Sequence, residues 1–125
     1  SAWPTSSTGT YNSRGIVSTY FNVESGSMAA GEKIWFNWDM TNTTDGNITF
    51  TVLAPHSAQG PNAQSWTSYT MTPHWSIVWR DWLSVGTPGT YKFYLGVCYG
   101  ADTNQCLTNN APWERLSADL TVVVH

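Results

Sequence analysis

Aromatic side chains are the most abundant groups in this sequence that could recognise a ligand: it contains eight Trp, six Tyr and four Phe. An indole or phenol ring can stack on the C–H face of a sugar, whose hydroxyls then need hydrogen-bonding partners nearby. Alternation along three segments predicts that Tyr20, Trp35 and Trp82 point to solvent. The polar side chains that share this outward phase are Asn37, Asp39 and Arg80. These residues predict a row of rings flanked by hydrogen-bonding groups.

Each ring also has a purely structural interpretation, because Trp is common in the cores of β-proteins. We expect Trp38, Trp75 and Trp79 to be core residues. A linker or a long loop could instead cover Trp35 and Trp82. The rings in loops or short strands could line one end of the domain as a second kind of site; these are Trp66, Tyr69 and Trp113.

Charge is scarce: 10% of the residues are charged and the net charge is −3. The few Lys and Arg are scattered, so the chain has no basic footprint for nucleic acid or for an anionic membrane surface. No apolar run approaches the ~20 residues that span a bilayer. A neutral, hydroxylated ligand fits this composition better than an ionic one.

The length of 125 residues predicts one domain. We place it at residues 14–125, after a linker remnant at residues 1–13 that is rich in Ser, Thr and Gly. No charged and then apolar leader precedes it, so we expect a mature chain or a piece of a larger protein.

Catalytic signatures are weak. Glycoside hydrolysis needs two carboxylates about 5–9.5 Å apart. Asp39 and Asp81 are the most suggestive because both neighbour Trp residues, but nothing in the sequence marks a pair. Oxygens of Asp102 and Asn104, or of Asp45 and the nearby Asn47, could hold calcium, although such residues are also ordinary turn formers. We therefore predict no catalytic residue, metal site or cofactor.

Two cysteines, Cys98 and Cys106, are separated by seven residues that include Gly and Asn. This spacing predicts a disulfide that closes a loop at the end of a strand, and the alternative is two free thiols in a cytosolic protein. A Ser- and Thr-rich, charge-poor chain with a disulfide is typical of a secreted, extracellular protein.

Period-two alternation predicts strands in seven segments. These are Ile16–Val23, Glu32–Thr41, Asn47–Leu53, Ser65–Met71, His74–Leu83, Tyr91–Tyr99 and Leu116–Val124. In the first segment Val17, Phe21 and Val23 share the predicted inner face. Asp45-Gly46 predicts a tight hairpin between the second and third segments.

The segment His74–Leu83 is the densest aromatic run, and its simplest phase buries Trp75, Ile77 and Trp79. The same phase leaves Val78, Arg80 and Trp82 outward. A one-residue bulge would exchange Trp79 and Trp82.

Seven short strands without a helix predict an all-β fold, a two-sheet antiparallel sandwich, with a barrel of similar strand count as the alternative. The run Pro88–Cys98 (PGTYKFYLGVC) resembles the penultimate strand of immunoglobulin-like and fibronectin-like sandwich domains. In those domains a Tyr at the position of Tyr91 forms a corner hydrogen bond. The resemblance implies an immunoglobulin-like β-sandwich of about seven strands.

Domains of this kind are frequent accessory modules of extracellular bacterial enzymes that degrade polysaccharides. Some of these modules bind carbohydrate and others are passive spacers, and the outward rings favour a non-catalytic carbohydrate-binding module for a neutral polysaccharide or oligosaccharide. A cellulose-like β-glucan is the default ligand, because a flat aromatic strip complements a flat chain. We expect a covalently linked catalytic domain in the parent protein. The predicted ligand-binding residues are Trp35, Trp82, Tyr20, Asn37, Asp39, Arg80 and Trp66. The alternative function is a structural spacer or adhesion domain whose outward rings contact protein.

Overall fold

The computed structural model describes residues 6–57 and 66–125, and these form ten strands and one short helix. The linker prediction for residues 1–5 and the start of the predicted strand at Ser65 lie outside the described residues. The strands are β1 (Ser6–Ser13), β2 (Ile16–Val23), β3 (Ser27–Met28), β4 (Lys33–Asn42), β5 (Ile48–His56), β6 (Trp66–Met71), β7 (Ser76–Ser84), β8 (Gly89–Cys98), β9 (Trp113–Arg115) and β10 (Leu120–Val124). The helix is α1 (Thr103–Leu107).

The strands build two sheets. The front sheet has the order β1-β2-β4-β7, and the back sheet has the order β3-β10-β8-β5-β6 with β9 beside β8. Neighbouring strands are antiparallel except for β3 and β10, which are parallel. The predicted all-β fold with two sheets is confirmed. The described part of the chain has ten strands instead of about seven, because β1, β3 and β9 were not predicted.

The core lies between the sheets and is built around aromatic rings. Phe21 and Phe36 of the front sheet stack with their ring centroids 5.3 Å apart, and Phe36 meets Phe93 of the back sheet edge-on at 5.3 Å. Along β4, the alternate side chains of Ile34, Phe36, Trp38 and Met40 are all buried, as predicted. The alternation that buries this row turns the intervening residues of β4 outward.

Strand β7 keeps an unbroken register with β4, from Lys33 opposite Ser84 to Thr41 opposite Ser76. Since no bulge interrupts it, the simple phase predicted for this segment is correct. Val78 is 67% exposed and Trp82 is 40% exposed, whereas the adjacent Leu83 is buried.

The predicted linker does not hold for residues 6–13, which form edge strand β1 of the front sheet. This strand pairs with β2, from Ser6 opposite Asn22 to Ser13 opposite Ile16. Edge pairing uses backbone groups and needs little apolar surface, so Ser and Thr can form it despite a linker-like composition.

The predicted hairpin at Asp45-Gly46 is wrong, because the strands on either side belong to different sheets: β4 to the front sheet and β5 to the back sheet. Asn42 organises this corner. Its buried amide donates to the carbonyls of Gly46, Met71 and Thr72, and its Oδ1 accepts from Thr44. A corner held by a buried side chain replaces the compact turn that the Asp-Gly pair favours.

The predicted disulfide between Cys98 and Cys106 is present. The loop that it closes contains α1, which was not predicted, and Asp102 caps this helix by accepting from the backbone N–H of Gln105 at 2.8 Å. The predicted corner hydrogen bond is also present: the Tyr91 hydroxyl donates to the carbonyl of Thr87 at 2.8 Å. In the described part of the chain, no helix is long and apolar enough to cross a membrane.

We predict that Asn42→Ala lowers the free energy of unfolding by about 2–3 kcal/mol, because it leaves buried carbonyls without a donor. Chemical denaturation at neutral pH measures this change. The matched control is Asn47→Ala in the same connection, where the side chain is exposed and a change within about 0.5 kcal/mol is expected. Equal effects of the two substitutions would contradict the role given to Asn42.

Candidate functional site

Two Trp residues stand side by side on the outer surface of the front sheet. Trp35 of β4 and Trp82 of β7 are direct cross-strand partners. Their ring centroids lie 6.4 Å apart and their planes are inclined at 55°. We call these two residues the ring pair. The ring pair forms an open V and not a flat strip, and Trp82 is its more exposed member.

Arg80 covers one face of Trp35. Its guanidinium carbon lies 3.8 Å from the Trp35 ring centroid, a cation–π contact. The same guanidinium donates twice to Glu24, at 2.6 and 2.9 Å, and the Asn37 amide donates to Glu24 at 2.9 Å. Hydrogen bonds from Arg80 and Asn37 lower the pKa of Glu24 to about 2. The carboxylate is therefore ionised at neutral pH, and it neutralises the guanidinium beside the ring.

Lys33 lies on the other side of the ring pair. Its Nζ is 4.7 Å from the ring centroid of Trp82 and 6.0 Å from that of Trp35. The sequence analysis missed both Lys33 and Glu24. A signal for Lys33 was present, since it stands two residues before Trp35 and so shares its outward phase. Glu24 directly follows β2, where strand alternation places it on the same surface.

Asp39 holds a bulge in β2. Its carboxylate accepts hydrogen bonds from the backbone N–H groups of Thr19 and Tyr20 at 2.6 and 3.3 Å, and from the hydroxyls of Thr19 and Ser18 at 2.5 and 3.1 Å. Burial alone would raise the pKa of Asp39, but these hydrogen bonds outweigh it and the pKa is lowered. The Asp39 carboxylate therefore stabilises the pairing of β2 and β4 through these hydrogen bonds.

Because of this bulge, the faces predicted for the first residues of β2 are wrong. The β2–β4 register shifts between Val17 and Phe21, so Ile16 and Ser18 are buried at one end of the strand. Phe21 and Val23 are buried at the other end, as predicted. An extra residue on one strand exchanges inside and outside, which strict alternation cannot foresee.

Tyr20 does not join the ring pair. It lies at the bulge of β2, beside Asp39 of β4. Asp39 is four positions along β4 from Trp35, which corresponds to roughly 13 Å along a strand. Tyr20 is half-buried, and burial together with the charge of Asp39 raises its pKa. Of the predicted site residues, Trp35, Trp82, Asn37 and Arg80 lie together, whereas Asp39 and Tyr20 lie farther along the sheet.

Trp66 lies in a separate ring cluster that closes the gap between β6 and β7 at the side of the sandwich. Its ring centroid is 4.8 Å from that of Tyr69, 5.8 Å from that of Trp75 and 4.9 Å from that of Trp79. All four rings are partly buried and pack against the core. Trp79 is on β7 as well, but on the opposite face from Trp82. Trp66 is therefore not part of the surface that carries the ring pair.

A third group of rings covers the back sheet. Trp113 stacks on His56 with centroids 4.2 Å apart, and the guanidinium carbon of Arg115 lies 4.0 Å from the Tyr94 ring centroid. Gly96 makes room for this packing, because a Cβ at that position would come within 2.9 Å of the Trp113 ring. The rings of Trp113 and Tyr94 are therefore covered by side chains of the protein itself, and the ring pair is more accessible to a ligand.

The two Asp residues considered for hydrolysis are turned apart. Asp39 lies on the outer face of β4, whereas Asp81 shares its side of β7 with the buried Leu83. The Asp81 carboxylate accepts a hydrogen bond from the backbone N–H of Trp82 at 2.8 Å. The two carboxylates therefore do not flank a common bond.

The Asp residues considered for calcium have partners in the protein. Asp45 contacts the Nε2 of His74 at 2.6 Å, and Asp102 caps α1. Within residues 6–57 and 66–125, no group of three His, Cys, Asp or Glu side chains is arranged to hold a metal ion. The same residues line no ligand-sized cavity, so the ring pair is an open surface.

Comparisons with known proteins returned no similar family: no protein-family model matches the sequence, and no curated protein matches it.

We predict that Asp39→Asn lowers the free energy of unfolding by about 1–2 kcal/mol at pH 7, a range that allows for solvent screening of this partly exposed group. Because the pKa of Asp39 is lowered in the folded protein, its contribution is complete above the ordinary Asp pKa of about 3.9. It is lost as the pH falls through the folded-state pKa.

Denaturation of both proteins between pH 7 and pH 2 measures this difference. We expect the stability gap between wild type and Asp39→Asn to close at the acidic end. The control is Asp45→Asn, whose side chain is 97% exposed and whose loss should change stability little at any pH. A gap that stays constant down to pH 2 would refute the part assigned to the ionised carboxylate.

Proposed function

We propose that this protein is a non-catalytic carbohydrate-binding module that binds a neutral polysaccharide through its ring pair. The observation that carries this proposal is the exposed indole of Trp82 beside Trp35, on a sheet surface that is open to solvent. The two adjoining rings form a contiguous apolar patch on this surface, and contiguous exposed apolar patches commonly mark interaction sites. A β-glucan is the default ligand.

Polar groups around the ring pair supply the partners that a sugar needs. Glu24 and Asn37 offer carboxylate and amide oxygens beside Trp35, and the Lys33 ammonium offers donors beside Trp82. A pyranose stacked on an indole would present its rim of hydroxyls to these groups.

The inclination of the rings supports a single glycan chain over a crystalline surface. Two planes at 55° cannot both lie flat on one planar face. A chain in solution can turn between successive units, so consecutive sugars can each meet one ring. We therefore propose binding to a soluble chain or to a disordered region of a polysaccharide.

We propose further that the domain is an immunoglobulin-like accessory module of a secreted, polysaccharide-degrading enzyme. Support for the fold comes from the order of the main strands, β2-β4-β7 facing β10-β8-β5-β6, and from the corner hydrogen bond of Tyr91. Support for secretion comes from the disulfide between Cys98 and Cys106, since such bonds persist in oxidising compartments.

We predict that soluble β-glucan oligosaccharides bind and quench or shift Trp fluorescence, and that Trp82→Ala weakens this binding about tenfold. Loss of the stacked ring accounts for the change, since about 1.4 kcal/mol corresponds to a factor of ten. Isothermal titration calorimetry with gluco-, xylo- and manno-oligosaccharides measures the affinity.

Two variants of the same strand control this measurement. Trp82→Phe keeps an aromatic face and should retain most of the affinity, whereas Val78→Ala removes exposed apolar surface away from the ring pair and should leave affinity unchanged. The proposal fails if wild type binds none of these sugars, or if Trp82→Ala binds as tightly as wild type.

A protein-contact role is the second candidate, and the exposed side chains of Val78 and Trp82 on edge strand β7 favour it. In this case a neighbouring domain would cover the two side chains and no sugar would bind. Fluorescence quenching by acrylamide, measured on this chain and on the intact parent protein, separates the two functions: only the spacer function predicts that Trp82 is shielded in the parent.

A further inference from the structure

We infer that Lys33 makes this site selective for a sugar that carries a carboxylate, so that a uronic acid unit binds more tightly than the corresponding neutral hexose. This inference rests on the proposed function, in which a sugar stacks on the ring pair, and changes one part of it: the preferred chain carries uronic acid units and is not wholly neutral. It stands on the charges and distances around Trp82.

The positive charges beside the two rings are not equivalent. Arg80, over Trp35, is neutralised by two hydrogen bonds to Glu24. Lys33, over Trp82, has no carboxylate at ion-pair distance among the residues that the structure describes. Its sequence neighbour Glu32 accepts a hydrogen bond from the backbone N–H of Ala29 at 2.9 Å. The more exposed ring therefore has an unneutralised cation beside it.

The ammonium is within reach of a sugar that stacks on Trp82. Lys33 Nζ lies over the Trp82 ring, 4.7 Å from its centroid, and the flexible lysine stem allows the ammonium to move to the rim of a sugar that takes this face. In a hexose, the carbon outside the ring belongs to a hydroxymethyl group that projects from this rim. Oxidation of that carbon to a carboxylate places two acceptor oxygens and a negative charge in the same position.

A carboxylate gains more from this ammonium than a hydroxyl does. A hydroxyl and a carboxylate can both accept a hydrogen bond from the ammonium, but only the carboxylate adds the attraction between opposite charges. Negative charge nearby opposes the ligand little, because Glu24 is paired with Arg80 and Asp39 lies roughly 13 Å along β4 from Trp35. The ring pair thus combines two aromatic rings for stacking with one positive charge that no carboxylate of the described residues neutralises.

The test compares two ligands with the same backbone: a β-1,4-gluco-oligosaccharide and its counterpart oxidised at the exocyclic carbon, a β-1,4-glucurono-oligosaccharide. Calorimetry at pH 7 and low salt is expected to show about twofold to fivefold tighter binding of the oxidised ligand to wild type, as for an ion pair with an exposed lysine. Rising salt should erode that preference and leave the neutral affinity nearly constant.

Lys33→Gln is expected to reduce the preference to about one while the neutral ligand still binds. The matched control is Lys92→Gln, which removes the other lysine of the chain, from strand β8 of the back sheet, and should keep the full preference.

Each outcome of the test bears on a different statement. Equal binding of both ligands to wild type overturns the inference and leaves the proposed function intact. An unchanged preference in Lys33→Gln overturns the role of this lysine. If neither ligand binds, the proposed function and the inference are both overturned. Trp82→Ala should weaken the binding of both ligands alike, which shows that they bind at the ring pair.

Discussion

Burial of alternate side chains along β4 is the constraint on which the rest of this protein depends. Phe36 and Trp38 must lie between the sheets to form the core, and a strand has only two faces. Trp35 and Asn37 are consequently driven to the outer surface. The long, uninterrupted register with β7 then carries Trp82 to the same surface, directly beside Trp35. The candidate site therefore lies on the outer face of the strands whose inner face forms the core.

The sequence predicts those elements in which local pattern and tertiary packing agree. Alternation along β4 and β7 is strict, and it correctly placed Trp35 and Trp82 on one surface. The disulfide and the Tyr91 corner were also predictable, because each depends on a short segment.

The failures have a common origin in contacts between distant residues. The bulge of β2 depends on Asp39, about twenty positions further along the chain. The corner after β4 depends on the amide of Asn42 reaching the carbonyls of Met71 and Thr72, which no Asp-Gly pattern announces. The pairing of Arg80 with Glu24 likewise joins residues far apart in the sequence. A single sequence indicates which groups are available but not which partners they find.

The Asp81 carboxylate has a consequence for how this protein behaves in concentrated solution. Strand β7 ends the front sheet, and the outer edge of such a strand can pair with the same strand of another molecule. Asp81 occupies the backbone N–H of Trp82 and places a charge at that edge. A second copy that added a strand there would have to displace the carboxylate and bury it. Asp81 therefore disfavours the addition of a strand at the point of the edge where the exposed Trp82 lies.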